Sequence, residues 1–473
     1  MTLTTVETPA AELQRIFIAQ QNNYLQVGKA GAKERIAKLE AMHDMVMRFR
    51  PKMKEAMYAD FRKPSFEVDA VEVYPITGAI KHARRNLRRW MQPKKVPTPL
   101  AFFGSTSWIH YEPKGVCLIV SPWNFPFNLS FVPLVSAIAA GNCAVLKPSE
   151  MTPHSSALMK EMVATVFDEK EVAVVEGAVN TAQALLELPF NHIFFTGAPA
   201  IGKIVMKAAA EHLASVTLEL GGKSPTVVDE TADVKTAAQR TVRGKFANCG
   251  QICVAPDYVL VHEKVQEEFL HQLRADILAC YGDDPINTDS YPCMVSERHF
   301  HRVKGYLDDA VSKGAKIWMG GKVDVAARHI APTLLTHVPA DAAVMEEEIF
   351  GPLLPVATYR DLQEAIDFIN AGERPLTMSI FSRNRNNMER LMQLTRAGGT
   401  CINHSQLHFF NHDLPFGGIN NSGSGKSHGW FGFETFSNAR AVYRQNFWTP
   451  VDLLKAPYTK WKERAMELTI KWL

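Results

Sequence analysis

Residues 194–203 read FFTGAPAIGK, in which an apolar strand runs into a glycine turn and a helix starts near Pro199. A helix N-terminus presents free backbone N–H groups and a partial positive charge, so this turn suits a phosphate group. The spacing from Gly197 to Lys203 also matches a P-loop, but Ile204 stands where that motif needs Ser or Thr for magnesium. The G-x-G-x-x-G fingerprint is absent too. Two interpretations stay open: a phosphate-facing turn, or merely a tight connection between a strand and a helix.

Apolar strands alternate with helical stretches on both sides of this turn. Helical spacing marks residues 11–60, and a second alternation of strands and helices runs from near 258–262 to about Cys401. The strands predicted before this second alternation are 105–120, 142–146, 172–175, 192–195 and 217–220. Strands separated by helices favour parallel sheets built from β-α-β units. The pattern therefore predicts an α/β protein with two such domains in one chain.

Composition narrows the class of protein. Of 473 residues, 46% are hydrophobic and 21% charged, which excludes a disordered chain, a collagen and a disulfide miniprotein. The 52 basic residues nearly balance the 49 acidic ones, so charge does not indicate a nucleic-acid partner. The seven cysteines contain no C-x-x-C, and residues 1–12 lack a basic stretch with an apolar core. No apolar run approaches the roughly 18 residues of a membrane span. We expect a cytoplasmic enzyme.

One helix carries a basic face and no intervening acid. Its members follow helical spacing: Lys81, Arg84, Arg85, Arg88 and Arg89. A nucleic-acid or membrane patch is one interpretation. A solvated face is the favoured one, and we expect no nucleic-acid partner.

Several polar residues stand at strand ends or turns, where α/β proteins place their chemistry. Lys147 and Glu150 follow an apolar strand and can reach ribose hydroxyls, Lys147 as donor and Glu150 as acceptor. Glu219 precedes a glycine pair and can act as a general base. Cys253 lies at a turn, where backbone donors or nearby positive charge would stabilise a thiolate. Each residue also has an interpretation without function. Lys147 and Glu150 would lie in a surface turn, Glu219 would form a salt bridge, and Cys253 would be a buried, unreactive thiol.

Three histidines invite a metal interpretation by their spacing. They are His404, His408 and His412. The segment between them is rich in phenylalanine and lacks a helical pattern, so we expect no metal site.

The order of the motifs is more specific than any one of them. The set is SPWNFP at 121–126, KPSE at 147–150, FTG at 195–197, ELGGKSP at 219–225, GQIC at 250–253, EIFGP at 348–352 and PFGG at 415–418 with Ser422-Gly423. This set resembles the aldehyde dehydrogenase superfamily over essentially the whole chain. The short N-terminal arm, the APD at 255–257 and the extended tail are most similar to class 3 members, which include fatty, benzaldehyde-type and coniferyl-type enzymes.

The resemblance implies three catalytic residues. Cys253 would attack the aldehyde and form a thiohemiacetal, whose oxyanion the Asn124 amide and the Cys253 backbone N–H would hold. Hydride transfer would leave a thioester, and Glu219 would activate the water that hydrolyses it, with access to solvent from its strand end. Ile252 departs from the small or polar residue of many relatives and would shape the substrate mouth.

The resemblance also implies a nicotinamide cofactor, held by Lys147, Glu150, Gly197, Gly202, Glu348 and Phe350. Lys147 and Glu150 would hold the adenine-side ribose, and the glycines would let the pyrophosphate approach the helix. Glu348 would hold the nicotinamide ribose, and Phe350 would pack against the nicotinamide ring. Ala198-Pro199 replaces a common Ser and removes a hydroxyl contact to the pyrophosphate. Because Glu150 repels a 2′-phosphate, NAD is predicted over NADP, which stays an alternative.

By the same resemblance the fold is two Rossmann-like parallel-sheet domains with a small β oligomerisation flap, and a homodimer is expected. The NAD-binding domain would be 1–101 and 114–218, the catalytic domain 219–405, the flap 102–113 and 430–446, and the tail 447–473. In the tail an apolar helical stripe is formed by Trp461, Ala465, Leu468 and Trp472. Packing of this stripe against protein is favoured over a membrane surface.

No residue suggests an anion anchor in the substrate pocket, so an aromatic or medium- to long-chain aliphatic aldehyde is the predicted substrate. Three rivals stay open. In a coenzyme A-acylating dehydrogenase, coenzyme A takes the acyl group from Cys253, and Glu219 argues against this reading. The others are a semialdehyde-specific enzyme and a non-catalytic protein that keeps the fold.

Overall fold

The computed structural model describes residues 7–472. Residues 1–6 of the stretch tested for a signal peptide, and Leu473 of the predicted tail, lie outside the described residues. The α-helices are Ala10–Gly28, Ala32–Phe61, Ser65–Val68, Tyr74–Trp90, Asn128–Ala140, Pro153–Ala164, Val179–Leu186, Pro199–Glu211, Val234–Phe246, Gln266–Tyr281, Glu297–Ser312, Ala343–Glu346, Leu362–Ala371, Arg385–Leu394, Gly429–Thr435 and Lys460–Trp472.

Two large sheets form the body of the protein and confirm the predicted α/β class. The first has the order Gly423–Ser424, Ser215–Leu220, His192–Gly197, Val116–Val120, Cys143–Lys147, Val172–Val174. The second has the order Lys316–Met319, Thr333–Thr336, Leu353–Tyr359, Tyr258–His262, Pro225–Val228, Thr377–Phe381, Gly399–Ile402. All neighbours are parallel except the first pair of each sheet.

The strands of the first sheet are apolar on both faces because helices cover both. In the strand Val116–Val120, Val116 and Leu118 pack with the N-terminal helix Ala10–Gly28, whereas Cys117 and Ile119 pack with helices on the opposite face. Strands buried on both faces read as continuous apolar runs. This is why the segment VCLIV shows no alternation of apolar and polar residues.

A small apolar cluster lies near the ends of both sheets and positions the site. It contains Phe125, Ile252, Leu376 and Phe416, with Cys253 packed against it. These residues come from four distant parts of the chain, so the cluster forms only when both sheets are assembled.

A separate antiparallel sheet joins Lys94–Val96, Ser105–Pro113 and Ser437–Gln445. Its first strand lies in the range assigned from the sequence to the cofactor domain and pairs instead with the flap. The stretch 105–120 was predicted as one β segment, but the structure divides it into Ser105–Pro113 and Val116–Val120. Gly115, with φ of 132°, makes the break between them.

Beyond this sheet the chain ends in the helix Lys460–Trp472. The predicted stripe is exposed, with 53% of Trp461, 60% of Leu468 and 75% of Trp472 accessible in the single chain. Among residues 7–472, no helix combines the length and the apolar character that a membrane crossing requires.

Candidate active site

The structure brings Cys253, Glu219 and Asn124 to one region between the two large sheets. Cys253 and Glu219 line the same cavity. Asn124 lies in the loop after the strand Val116–Val120, and its Nδ2 donates a hydrogen bond of 3.0 Å to the carbonyl oxygen of Gln251, two residues before the cysteine. Residues that the sequence separates by up to 129 positions therefore meet, as the motifs predict.

The backbone before Cys253 adopts an unusual conformation. Three successive residues are left-handed, with φ of 51° at Asn248, 55° at Cys249 and 71° at Gly250. A side chain at Gly250 would collide with the backbone of Gly351, so glycine is required there. A non-glycine residue in this region costs roughly 1–2 kcal/mol. The surrounding contacts must supply that energy to hold the cysteine turn.

The Cys253 thiol is protonated at rest. Burial raises its pKa to about 12, and the nearby carboxylates of Glu348 and Glu219 add to the shift. The backbone N–H groups of Cys253 and Val254 act in the opposite direction. The positive charge expected to stabilise a thiolate does not dominate this environment, so the thiol needs a base to become a nucleophile. Cys249 lies in the core beside Tyr291 and has no access to the cavity.

Glu219 is buried, with 5% of its surface accessible. The expected solvent access from its strand end is therefore wrong: the segment 416–427 folds over this end of the strand and pairs Gly423 with Glu219. One carboxylate oxygen accepts a hydrogen bond of 2.8 Å from Ser427 Oγ, and Oε2 is a buried atom without a hydrogen-bond partner in the described chain. Burial raises the pKa of Glu219 to about 8, although the Ser427 hydroxyl and the charge of Lys426 lower it.

The cavity between these groups is mostly apolar. Aromatic and aliphatic side chains make most of its wall: Leu129, Val132, Pro133, Phe194, Leu220, Leu376, Phe409, Phe416 and Phe436. It leaves about 30 Å³ for the centres of water-sized molecules, enough for a bound water beside Glu219. His428 also lines it, and burial lowers the pKa of this imidazole to about 3, so it is neutral. The lining residues in the described chain include no Lys or Arg.

The helix Pro199–Glu211 begins at the carboxyl end of the strand His192–Gly197, as predicted. No side chain caps its first turn, which leaves backbone donors for an anion. A Cβ atom on Gly202 would lie 2.7 Å from a Leu220 methyl group, so glycine allows the helix to pack on the strand. These features fit the pyrophosphate of a dinucleotide.

Lys147 and Glu150 lie at the carboxyl end of the strand Cys143–Lys147, which is separated from His192–Gly197 by the strand Val116–Val120. Lys147 is buried, and its Nζ donates to Glu150 Oε2 at 3.1 Å and to the Pro148 carbonyl at 3.2 Å. The side chain of Glu150 is 29% accessible. This paired ammonium and carboxylate, at the same edge of the sheet as the helix start, offers a donor and an acceptor to ribose hydroxyls.

Glu348 and Phe350 approach the site from the second sheet. The Glu348 carboxylate lies so close to Gly221 that a Cβ atom there would collide with it, and the Gly222 N–H bonds to it. Burial raises the pKa of Glu348 to about 8, and Asp257 adds to the shift. Phe350 has φ of 44°, and its ring meets Trp123 edge-on at 5.3 Å.

Sequence reasoning missed several groups that complete the site. Ser427 and Lys426 follow the motif at 415–423, but no spacing rule ties them to Glu219. Lys63, Glu67 and Glu72 lie behind the cysteine turn, in a segment to which the sequence assigned no role. Lys63 and Glu72 are fully buried, and burial is not visible in one sequence.

The three spaced histidines do not converge. His408 Nδ1 lies 3.0 Å from Cys401 Sγ, whereas His412 packs near His82 and His428 with ring centres 5.7 Å apart in each pair. Within residues 7–472, no group of His, Cys, Asp or Glu has the arrangement of a metal site.

The sequence is similar to proteins of one known family. A model of the aldehyde dehydrogenase family matches residues 2–442. The putative aldehyde dehydrogenase AldX of Bacillus subtilis is 42% identical over 92% of this chain and 98% of its own length. A probable coniferyl aldehyde dehydrogenase of Caulobacter vibrioides is 41% identical over 92% of this chain and 91% of its own.

Two solved structures have the same fold. Substrate-bound AldH of Staphylococcus aureus superposes with a TM-score of 0.92 at 38% identity, covering 97% of this chain and 99% of that one. PnpE in complex with nicotinamide adenine dinucleotide gives 0.85 at 27% identity, covering 94% and 91%.

Proposed function

Since the chain belongs to the aldehyde dehydrogenase family, we propose that it oxidises an apolar aldehyde to the carboxylic acid with NAD, through a covalent intermediate on Cys253. The observation that carries the proposal is the apolar cavity that Cys253 and Glu219 line together, with Asn124 bonded to the cysteine turn. An aromatic or medium- to long-chain aliphatic substrate suits this wall, since burial of apolar surface drives binding.

The first step is attack by sulfur on the aldehyde carbon. The thiol proton passes to a carboxylate, and both Glu219 and Glu348 lie close enough to influence the Cys253 pKa. The carbonyl oxygen then becomes an oxyanion. One N–H of the Asn124 amide is directed at the Gln251 carbonyl, and the other serves the oxyanion together with the Cys253 backbone N–H. Each such donor contributes about 10²–10³ in rate.

NAD bound at this site would supply the hydride acceptor, so that Cys253 would be left carrying the acyl group as a thioester. The cofactor residues are those that line the two strand ends and the cysteine side of the cleft: Lys147, Glu150, Gly197, Gly202, Glu348 and Phe350. The uncapped helix and the hydrogen-bonded Lys147–Glu150 pair support this assignment. The carboxylate of Glu150 disfavours a 2′-phosphate, which supports NAD over NADP.

Hydrolysis of the thioester needs an activated water. Glu219 takes its proton, since the unpartnered Oε2 is free to accept it while Ser427 orients the other oxygen. The raised pKa, about 8, makes the carboxylate a stronger base than an exposed one. The same base argues against coenzyme A as the usual acyl acceptor. The absence of Lys and Arg from the described cavity lining argues against a semialdehyde with a distal carboxylate.

The assembly belongs to the proposal as well. The proposed domain roles are cofactor binding by 1–101 and 114–218, catalysis by 219–405, and pairing by the flap of 102–113 and 430–446, although the strand Lys94–Val96 belongs to the flap sheet. The flap strand Ser437–Gln445 is an edge strand whose side chains are mostly exposed, which supports a homodimer. The exposed stripe of the tail 447–473 would pack on the partner. We place the enzyme in the cytoplasm.

The test is NADH formation with benzaldehyde, a coniferyl-type aldehyde, hexanal, decanal and a semialdehyde, each with NAD and with NADP. Turnover of apolar aldehydes to free acid without coenzyme A, lost in Cys253→Ala, supports the proposal. A requirement for coenzyme A would replace it with the acylating reaction. Protein that does not bind NAD would overturn the cofactor assignment.

A further inference from the structure

A buried charged cluster lies directly behind the cysteine turn and has no part in the reaction described above. Lys63 and Glu72 have no exposed side-chain surface and are joined at 3.2 Å. Glu67 lies four residues after Lys63, in the short helix Ser65–Val68, and its carboxylate is close enough to raise the pKa of the Lys63 ammonium, which burial lowers. Buried ion pairs seldom add stability relative to apolar residues of the same size. The contacts of the cluster are therefore the guide to its role.

Lys63 holds the segment that carries the oxyanion amide. Its Nζ donates at 3.1 Å to the main-chain carbonyl of Asn124 and lies 4.1 Å from the centre of the Phe125 ring. Glu72 Oε2 accepts the backbone N–H of Asn128 at 2.7 Å. The Lys63–Glu72 pair thus fixes residues 124–128 at both ends.

Glu67 holds the other half of the site. Its Oε2 accepts the backbone N–H of Asn248 at 3.1 Å, and Asn248 is the first of the three left-handed residues. The Asn248 amide in turn donates to the Asn124 carbonyl at 3.2 Å and to the Gln251 carbonyl at 3.0 Å. One continuous set of hydrogen bonds therefore joins the cluster, the Asn124 segment and the cysteine turn.

We propose that Glu67, supported by the Lys63–Glu72 pair, is a positioning residue that holds the left-handed turn 248–250. It thereby keeps Cys253 at the position where its backbone N–H and the Asn124 amide can bind the same substrate oxygen. The oxyanion must meet donors from two separate segments, and a displacement of about 1 Å can cost about 10²-fold in rate. The proposal rests on the proposed function, because the relative position of Cys253 and Asn124 matters only if both act on one substrate atom.

The test compares three substitutions at Glu67 with one nearby control. Glu67→Ala removes the acceptor for Asn248 N–H, Glu67→Gln keeps an oxygen acceptor without charge, and Glu67→Asp withdraws the carboxylate by one methylene. The control is Asp69→Asn, which lies two residues away and pairs with Arg50 and Lys54, each at 2.6 Å. Should Glu67→Ala fail to fold, Glu67→Asp carries the comparison.

We expect Glu67→Ala to lower kcat and the rate of the first NADH turnover by about 10–100-fold, with KM for aldehyde and for NAD within about twofold. Glu67→Asp should lie between Ala and wild type, and Glu67→Gln should restore most of the rate. Asp69→Asn should leave kcat unchanged. If Glu67→Ala lowers the melting temperature but keeps the wild-type rate per titrated site, the cluster is merely structural and the proposal is overturned. The same holds if Gln fails as completely as Ala.

Alkylation of Cys253 by iodoacetamide separates this proposal from the proposed function. We expect Glu67→Ala to change the alkylation rate at least about fivefold, while Glu67→Gln and Asp69→Asn match wild type, since thiol reactivity follows its local environment. Wild-type protein without aldehyde turnover would remove the proposed function. Alkylation that is equal in all variants would remove the positioning role.

Discussion

Glu219→Gln should make the protein more stable at alkaline pH and at the same time block its turnover. The carboxyl is buried with a pKa raised from 4.5 to about 8. In the unfolded chain it ionises near pH 4.5, while the folded protein retains the proton up to about pH 8, so wild-type stability falls as pH rises through this window. At 1.36 kcal/mol per unit, the shift corresponds to at most about 5 kcal/mol. Glutamine has nearly the same shape, can still accept from Ser427 and does not ionise.

The assay compares the stability difference between variant and wild type at two pH values. The free energy of unfolding is measured by denaturant for both proteins at pH 5 and at pH 9, so that other titrating groups cancel. The advantage of the variant should be small at pH 5 and should grow by several kcal/mol at pH 9, towards the upper limit of about 5 kcal/mol. An advantage that is equal at both pH values would show that Glu219 ionises as freely in the folded protein as in the unfolded one, and the burial argument would fail.

The same variant separates the two halves of the reaction. General-base catalysis contributes about 10²–10⁴-fold, so steady-state turnover should fall by that amount. If Glu348 is the carboxylate that accepts the thiol proton, the first turnover persists, and a burst of NADH near one equivalent per site appears. For wild type, a kcat limited by hydrolysis should rise with an apparent pKa near 8. A kcat that is flat from pH 6 to 9 with a normal burst would refute Glu219 as the base.

Three further predictions concern the other parts of the site. Asn124→Ala should lower kcat/KM by about 10²–10³-fold while NAD affinity, measured by calorimetry, stays unchanged; a weaker loss would mean that the Cys253 N–H holds the oxyanion alone. Glu150→Gln should raise kcat/KM with NADP relative to NAD, because the like charge facing a 2′-phosphate is removed; an unaltered ratio would place the selectivity elsewhere. Deleting 447–473 should weaken a dimer followed by sedimentation at falling concentration, and a dimer of equal stability would show that the tail does not pack on the partner.

The fold could be predicted from the sequence where local signals agree. The strand Tyr258–His262 and the helix start at Pro199 were predicted at those residues, because an apolar run and a proline at the first helical turn are local features. The division of 105–120 into two strands was missed, since both halves have strand-like composition and only Gly115 marks the break. The short strand Lys94–Val96 was missed too, because it has only three residues and the prolines at 93, 97 and 99 indicate a loop.

The sequence led to residues that the structure brings to one cavity, but it did not reveal their surroundings. The motifs led to Cys253 and Glu219, but the expected solvent access of Glu219 was wrong, because its burial depends on Ser427 and Gly423, about 200 residues later. Lys63 and Glu72 are fully buried, and no local pattern separates them from exposed charges such as Lys52. Burial is a property of the assembled fold, which a single sequence does not display.

The two-residue strand Gly423–Ser424 has a consequence for synthesis of the protein. It adds the last strand to a sheet whose other members lie before residue 221, and it brings Ser427 to Glu219. A chain that lacks this segment would keep Cys253 and the other strands of the sheet, but Glu219 would lose both its Ser427 partner and the segment that covers it. Glu219 is therefore enclosed and oriented only after residues about 200 positions further along the chain have been added.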